Sequence, residues 1–506
     1  MGAAGAAGTE RERANVTAAD PPAPPADLID STAAGPAAMR GGFLRIASFA
    51  GSLIIGLASA PLLVRHLGEI EFGRYSTALA VIAIVAGLTE GGVTTVALRE
   101  LSVTKEPAEA RRLMSDLLGL RIVLSTAGLA VAVAFTAVAG YGQTLTLGVL
   151  LAGVGMILAA TQGLLAVVLQ SRLRFGWAAL IELARGIVGI GLIVVLVLAG
   201  QGTIEFLAVA IPVGALALAL TVPLVRGQTS LRPAFAPRRW LALLREVLVI
   251  ALAVAVYALY FRVTLLVTSL VSTADETGYF AISFRLMEAL IGIPILLIGA
   301  AFPIISRSAR DDRERFEYAT RRIYELSLFL GGLMALGLLL SAPFAIEVLV
   351  GTSDHPSVEV LQIQSVALAA GFVVAATSFP LLGMRRHREL LVANSVALLL
   401  AAVLALALAP SLGAVGAAIA AVTADFVLAG TTTAMLLRRG GPPLPLSAVP
   451  VTLAAALCGY GAAWLVGIHP VVDAVVGCSV FLAVLVLLRR FPPELRELLT
   501  SGRTER

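Results

Sequence analysis

Lysine is almost missing from this chain: Lys105 is the single one in 506 residues. Charged residues together make up only 14%, against about 25% in an ordinary soluble domain. Cysteine occurs twice, histidine four times, and aromatic residues amount to 6%. So little charge, beside 58% apolar residues and a mean hydropathy of +0.94, argues against a water-soluble enzyme, a disordered scaffold and a nucleic-acid binder. Two cysteines, Cys458 and Cys478, cannot build a disulfide framework and have no metal-ligand spacing. Both lie in apolar runs and read as small buried hydrophobes. His66, His355, His387 and His469 show no ligand pairing, so no metal site is expected. There is no G-x-x-x-x-G-K-S/T phosphate loop, so ATP is not the direct energy source within this chain.

What is present is apolar sequence in pieces of one size. A helix needs about 20 apolar residues to cross a hydrocarbon core of about 30 Å. Fourteen segments qualify: 43–64, 75–98, 117–139, 143–169, 177–199, 203–225, 247–270, 278–303, 323–345, 360–383, 389–409, 412–437, 447–468 and 471–488. The break before 412–437 is the weakest, marked only by Pro410 and Gly413. Residues 1–38 are rich in Ala, Gly and Pro and read as a disordered cytoplasmic tail. They contain no apolar stretch after a basic start, so the first span is expected to direct insertion and to remain in the mature protein. The expected fold is an all-α polytopic membrane protein. It has an N-terminal six-helix lobe (39–225), a cytoplasmic linker (226–246), a C-terminal six-helix lobe (247–437), two extra transmembrane helices (438–490) and a cytoplasmic tail (491–506).

The net charge is +5 and the pI is near 9.5, but the placement of the charges matters more than the sum. With fourteen crossings, the segments on the N-terminal side carry 32 of the 37 basic residues, counting Arg45 and Arg121 at the inner ends of their spans. The opposite side carries Arg65 and Arg74. A bias of this size is a positive-inside signal and puts both termini in the cytoplasm of a cell (inner) membrane. The longest inner loops, about 304–322 and 226–246, read as interfacial amphipathic connectors. None is long enough for a catalytic domain, so no enzyme is expected. Arginine in place of lysine, with abundant Ala, Leu and Val, points to a GC-rich bacterial genome.

The turn after span one, Gly68 to Tyr75, is echoed after span seven. An offset of 205 pairs Glu71 with Glu276, Gly73 with Gly278 and Tyr75 with Phe280. Six spans separate the two turns, so the two halves have the same orientation. That is the parallel-repeat layout, with a substrate path between halves.

The stretch from Leu62 to Tyr75 resembles the polysaccharide-biosynthesis family of oligosaccharide-lipid flippases. That family belongs to the multidrug/oligosaccharidyl-lipid/polysaccharide exporter superfamily. Its first outer turn reads R-x-L-G-x-x-x-F-G-x-Y, matched by Arg65, Leu67, Gly68, Phe72, Gly73 and Tyr75. Thr277 to Arg285, Phe302-Pro303 and Ser306-Arg307 form a second family-like stretch. The resemblance covers roughly residues 40–490. It implies a V-shaped exporter-like fold that works as a monomer. It also implies movement of polyprenyl-diphosphate-linked sugar from inner to outer leaflet by alternating access, coupled to an ion gradient. Membrane lipids, a polysaccharide polymerase and glycosyltransferases are the partners implied. No cofactor is expected beyond a proton or sodium as coupling ion. A multidrug/cation efflux antiporter and a lipid II flippase of the same superfamily stay open as alternatives.

Ionisable groups deep in a bilayer cost at least about 2.5 kcal/mol each and point to function. Arg262 and Arg285 are the leading candidates for substrate phosphate, because the planar guanidinium fork holds phosphate bidentately. Arg285 and Glu288 stand at i, i+3, so mutual neutralisation is the competing reading. Glu182 and Arg185 share that spacing. Arg45 and Arg65, at the two ends of span one, are further phosphate candidates, against simple snorkelling to the interface. Glu90 and Asp425 lack sequence-local partners. Each is either a site for a coupling ion, as is Glu288, or the partner of an arginine on another helix.

Overall fold

The computed structural model describes residues 34–488 apart from 91, 105 and 173. The called C-terminal tail and most of the N-terminal one lie outside the described residues. The described part is helical throughout. The helices are α1 (Ala34–Glu90), α2 (Val93–Val103), α3 (Pro107–Val138), α4 (Gly142–Ser171), α5 (Phe175–Leu198), α6 (Thr203–Ala208) and α7 (Ala210–Val225). The second half has α8 (Pro237–Val271), α9 (Ala274–Asp311), α10 (Arg313–Val350), α11 (Ser357–Ser365), α12 (Ala367–Gly383) and α13 (His387–Arg438). Two more, α14 (Ala448–Val466) and α15 (Pro470–Leu487), end the described chain.

Twelve of the continuous helical segments among the described residues are long and apolar enough to cross a membrane. Two of them contain a kink and so carry two crossings each. In α1 the kink is Gly68 (φ 74°, ψ 173°), and in α13 it is Gly413 (φ 56°, ψ −134°). The chain is therefore an integral membrane protein with about fourteen crossings. Gly413 cannot be replaced without strain: its φ is left-handed, and a Cβ there would lie 2.2 Å from Glu276 Oε2. The predicted second span, 75–98, is shorter than expected. Helix α1 stops at Glu90, and Gly92 (φ 72°) starts α2 in a new direction.

The surface is turned inside out relative to a soluble protein. Leu399, Val403 and Leu406 on α13 are more than half exposed, as are Trp464 and Leu465 on α14. Hydrocarbon rather than water suits such a surface. Cys458 is exposed on this surface, not buried as its apolar neighbours suggested, while Cys478 is half-buried. Apolar lipid does not drive helices together, so close packing of small residues must do it. In α13, Ala393, Ala397, Ala401, Ala405 and Ala409 recur every fourth residue and are fully buried. The first four of them pack beside Tyr260, Val263 and Val267 of α8.

The two halves repeat their packing. Helix α1 lies on α5 as α8 lies on α13, and α4 lies on α7 as α12 lies on the second arm of α13. The paired glutamates of the two turns do equivalent work. Glu71 Oε2 accepts a 2.6 Å hydrogen bond from Thr203 Oγ1 at the start of α6. Glu276 Oε2 accepts one of 2.7 Å from the Ala414 N–H, where the second arm of α13 begins. Each carboxylate thus sits at the N-terminus of the sixth crossing of its own half, where anions are favoured.

Candidate functional site

Helices α8 and α9 bring three charges together near mid-membrane. At 1.5 Å per residue, Arg262 lies about 14 Å from the α8 terminus at Val271, and Arg285 about 16 Å from the start of α9. Both are therefore near the middle of a 30 Å core. Arg262 Nη2 donates to Glu288 Oε1, and Arg285 Nη1 donates to Glu288 Oε2 at 3.1 Å. Arg285 Nη2 also reaches the Gly56 carbonyl of α1 at 3.4 Å, across to the other half. Two guanidinium groups share one carboxylate, so the cluster keeps one positive charge. The neutralising pair at i, i+3 is real, but it does not neutralise Arg262 as well. The side chains are 16% (Arg262), 26% (Glu288) and 33% (Arg285) exposed. Phe261 and Phe284 flank the Arg262 guanidinium, with ring centroids at 5.3 and 5.5 Å. Neither ring was legible as a site residue, because a phenylalanine in a span is ordinarily lipid-facing or core.

Asp425 finds its partner in a hydroxyl, not an arginine: the Tyr260 O–H donates to Asp425 Oδ1. Both line a small cavity of about 50 Å³ in the second half, together with Thr264 and Gln364. Gln364 is 3% exposed, and neither its amide oxygen nor its amide nitrogen has a hydrogen-bond partner among the described residues. Two unsatisfied polar atoms in such a place are costly unless something fills the cavity. Gln364 carries no charge and so escaped the sequence reading.

The other candidates are committed elsewhere. Glu90 takes the second of its two readings: Glu90 Oε2 pairs with Arg121 Nη2 at 2.6 Å, and Arg121 Nη1 donates to the Thr89 carbonyl at 2.8 Å. Arg121 is 6% exposed. In the sequence it stands at the inner end of its span, only a turn inside the apolar part of α3. Glu182 and Arg185 pair at 2.9 Å along α5. Arg65, a phosphate candidate, is exposed and docks one nitrogen of its guanidinium on the other half. Its Nη2 donates to the Glu347 and Val348 carbonyls at 3.2 and 2.8 Å. These belong to the last turn of α10, where the dipole favours a cation; the Glu347 carbonyl also accepts from the Gly351 N–H at 2.8 Å. Arg45 lies in α1, and its side chain is outside the described residues.

The family-like turn is where the halves touch. A Cβ on Gly73 would lie 2.9 Å from the Gly278 nitrogen, and one on Gly278 would lie 2.4 Å from the Glu69 carbonyl oxygen. Only glycine lets the two repeated turns approach so closely. Phe72 is buried beneath them at 1% exposure. His355 Nε2 and Glu69 Oε2 stand 3.0 Å apart across the same junction. With Arg65 of α1 bonded to the end of α10, these contacts join the two halves at the Gly68 end of the bundle.

An all-helical membrane bundle of two parallel six-crossing halves, joined at their repeated turns and carrying charge within, has the architecture of a membrane transporter. The sequence profile of the polysaccharide biosynthesis proteins matches residues 62–359, more than half of the chain. The chain belongs to that family. No curated protein matches it by sequence. Among solved structures it is similar to lipid II flippase MurJ in an inward closed conformation, with a TM-score of 0.74 at 15% identity, covering 88% of this chain and 99% of that one. It also resembles an inward-facing multidrug resistance MATE family transporter of the MOP superfamily (TM-score 0.60, 15% identity, 79% and 98% covered). The Vibrio cholerae MATE transporter VcmN in its bent form aligns at a TM-score of 0.52, with 14% identity and 80% and 98% covered. At such identities the likeness concerns the fold.

Proposed function

We propose that this protein is a flippase and not an enzyme. It moves a polyprenyl-diphosphate-linked oligosaccharide from the inner to the outer leaflet of the cell membrane, with both termini cytoplasmic. The observation that carries the reading is the Arg262–Glu288–Arg285 cluster. A diphosphate arriving between the halves offers oxygens that replace those of Glu288 on both guanidinium forks, and charge-assisted bonds of this kind are among the strongest available. One residual positive charge meets an anionic headgroup, and it opposes the cationic drugs of an efflux antiporter. The 32-to-2 bias of basic residues supports the orientation, which makes the joined Gly68 end the outer one. A lipid II flippase is the second reading, favoured by the 99% coverage of MurJ.

The test is leaflet accessibility of the labelled lipid in proteoliposomes. Arg262→Ala with Arg285→Ala is expected to cut translocation about 30-fold or more, since truncating one partner of a buried charged contact costs about 2–5 kcal/mol. Undiminished transport in the double variant sinks the site. Efflux of an organic cation with no sugar-lipid movement sinks the function. Running polyprenyl-diphosphate-oligosaccharide beside lipid II separates the two flippase readings.

The coupling ion belongs, on this reading, in the Asp425 cavity. Gln364, Thr264 and Tyr260 supply oxygens around one carboxylate, a donor set that suits a proton or a small hard cation such as sodium. Asp425→Asn is expected to leave downhill movement intact and to remove its stimulation by an imposed proton or sodium gradient. Full gradient stimulation in that variant would place coupling elsewhere.

A further inference from the structure

The end of the bundle opposite Gly68 holds a second cationic site, built by the hairpin of α13. Its two ends are fifty residues apart in sequence, and the Gly413 kink folds them back beside each other. Arg385, Arg386 and Arg388 stand at the start, Arg438 and Arg439 at the finish. All five line one open hollow of about 870 Å³. Glu389 is the single carboxylate lining it. It clasps the two ends, with Arg439 Nε at 3.2 Å and Arg386 Nη1 at 3.8 Å. Arg385, Arg388 and Arg438 have no ion-pair or side-chain hydrogen-bond partner among the described residues. Five guanidinium groups against one carboxylate leave a formal excess of four positive charges in one concavity.

Three features separate this hollow from an ordinary basic loop. The arginines converge from two chain segments, whereas a positive-inside bias requires only that they lie on one side. The turn that presents them includes Arg385 at φ 59°, the one non-glycine residue with left-handed backbone among those described. Apolar side chains share the hollow with the arginines: Val249, Val392 and Met435 also line it. Arginines mixed with apolar side chains, at the end of membrane crossings, fit a headgroup whose phosphate binds arginine while its glycerol and acyl chain follow the helices.

We propose that this hollow binds a lipid-borne phosphate at the membrane surface. The phosphate comes either from an anionic bilayer lipid or from the diphosphate of a polyprenyl lipid. The proposal needs the membrane location alone and stands apart from the flippase reading.

The test uses the full-length protein in nanodiscs of phosphatidylcholine. Fluorescent phosphatidylglycerol and a labelled polyprenyl diphosphate are titrated in separately, and binding is read by energy transfer from the protein. Arg388→Gln with Arg438→Gln removes two guanidinium groups that bind nothing in the protein, so the fold should persist. Arg313→Gln with Arg315→Gln removes the same charge from exposed positions elsewhere at the same end. At about one decade or somewhat less per surface arginine, the first pair is expected to weaken binding about 30-fold. The second pair is expected to change it about twofold at most. Saturable binding of phosphatidylglycerol assigns the site to bilayer lipid; saturable binding of polyprenyl diphosphate alone assigns it to that carrier. Equal weakening by both pairs, or no saturable binding of either lipid, overturns the proposal. Thermal melting of each variant in detergent confirms that the comparison is made on folded protein.

Discussion

Replacing Glu288 with alanine is expected to be among the most destabilising single changes in the interior. The substitution removes few atoms, but it strands Arg262 and Arg285 near mid-membrane with no carboxylate between them. Breaking a buried pair by removing one partner costs about 3–5 kcal/mol, because the remaining charge is left uncompensated. Here two charges are left. Against a total stability of about 5–15 kcal/mol for a typical fold, such a loss shows as poor expression and early melting. The partial exposure of the cluster lets water soften the penalty, so the lower end of that range is the safer expectation. Charge balance, not volume, carries the effect. Glu288→Ala combined with Arg262→Met should therefore recover part of the loss, while Arg262→Met alone, which keeps the Arg285–Glu288 pair, should be mild. Melting followed by size-exclusion chromatography in detergent distinguishes these cases. If Glu288→Ala melts like the parent protein, the arginines are already hydrated and the shared-carboxylate account fails.

Gly278→Val is expected to have its largest effect on conformation. A Cβ at this position would meet the Glu69 carbonyl oxygen at 2.4 Å, and backbone cannot give way as a flexible side chain would. Overpacking of this kind costs about 1–3 kcal/mol. Applied to the joined arrangement alone, that shifts the population by about 5–150-fold toward states with the Gly68 end apart. Thr77 lies beneath the junction, 1% exposed, and serves as reporter. Cys458 and Cys478 are first replaced, since Cys458 is itself exposed. Thr77→Cys should then react slowly with a membrane-impermeant thiol reagent when Gly278 is present and rapidly when valine replaces it. Transport should fall in parallel, because a carrier that cannot close one end leaks or stalls. Unchanged labelling would mean that the contact between the two glycines is incidental to closure.

Much of the architecture is legible before any coordinates. Lys, Asp and Glu are scarce within spans because hydrocarbon rejects them, and the glycines at 68 and 413 interrupt helices that apolarity alone would continue. The repeat of Glu71 and Gly73 as Glu276 and Gly278 anticipated two like-oriented halves. Candidate residues were harder. Arg262 and Arg285 stood out for their depth, but sharing of Glu288 could not be known, since i, i+3 spacing speaks only for Arg285. Arg65 looked unpartnered because the Glu347 carbonyl it bonds is 282 residues away. Glu90 looked solitary because Arg121 belongs to another helix. Gln364, Phe261 and Phe284 gave no signal, for each is a common residue made special only by its surroundings.

The sequence by itself determined the solvent, the approximate number of crossings and the doubled plan. All of these follow from local composition and its period, on which the bilayer acts segment by segment. Only the tertiary structure decided which charges compensate each other, which are left over, and that two distant arginine clusters at the ends of α13 face one hollow. Those outcomes depend on helix rotation and on the angle of two glycine kinks, which set distances between residues tens to hundreds of positions apart.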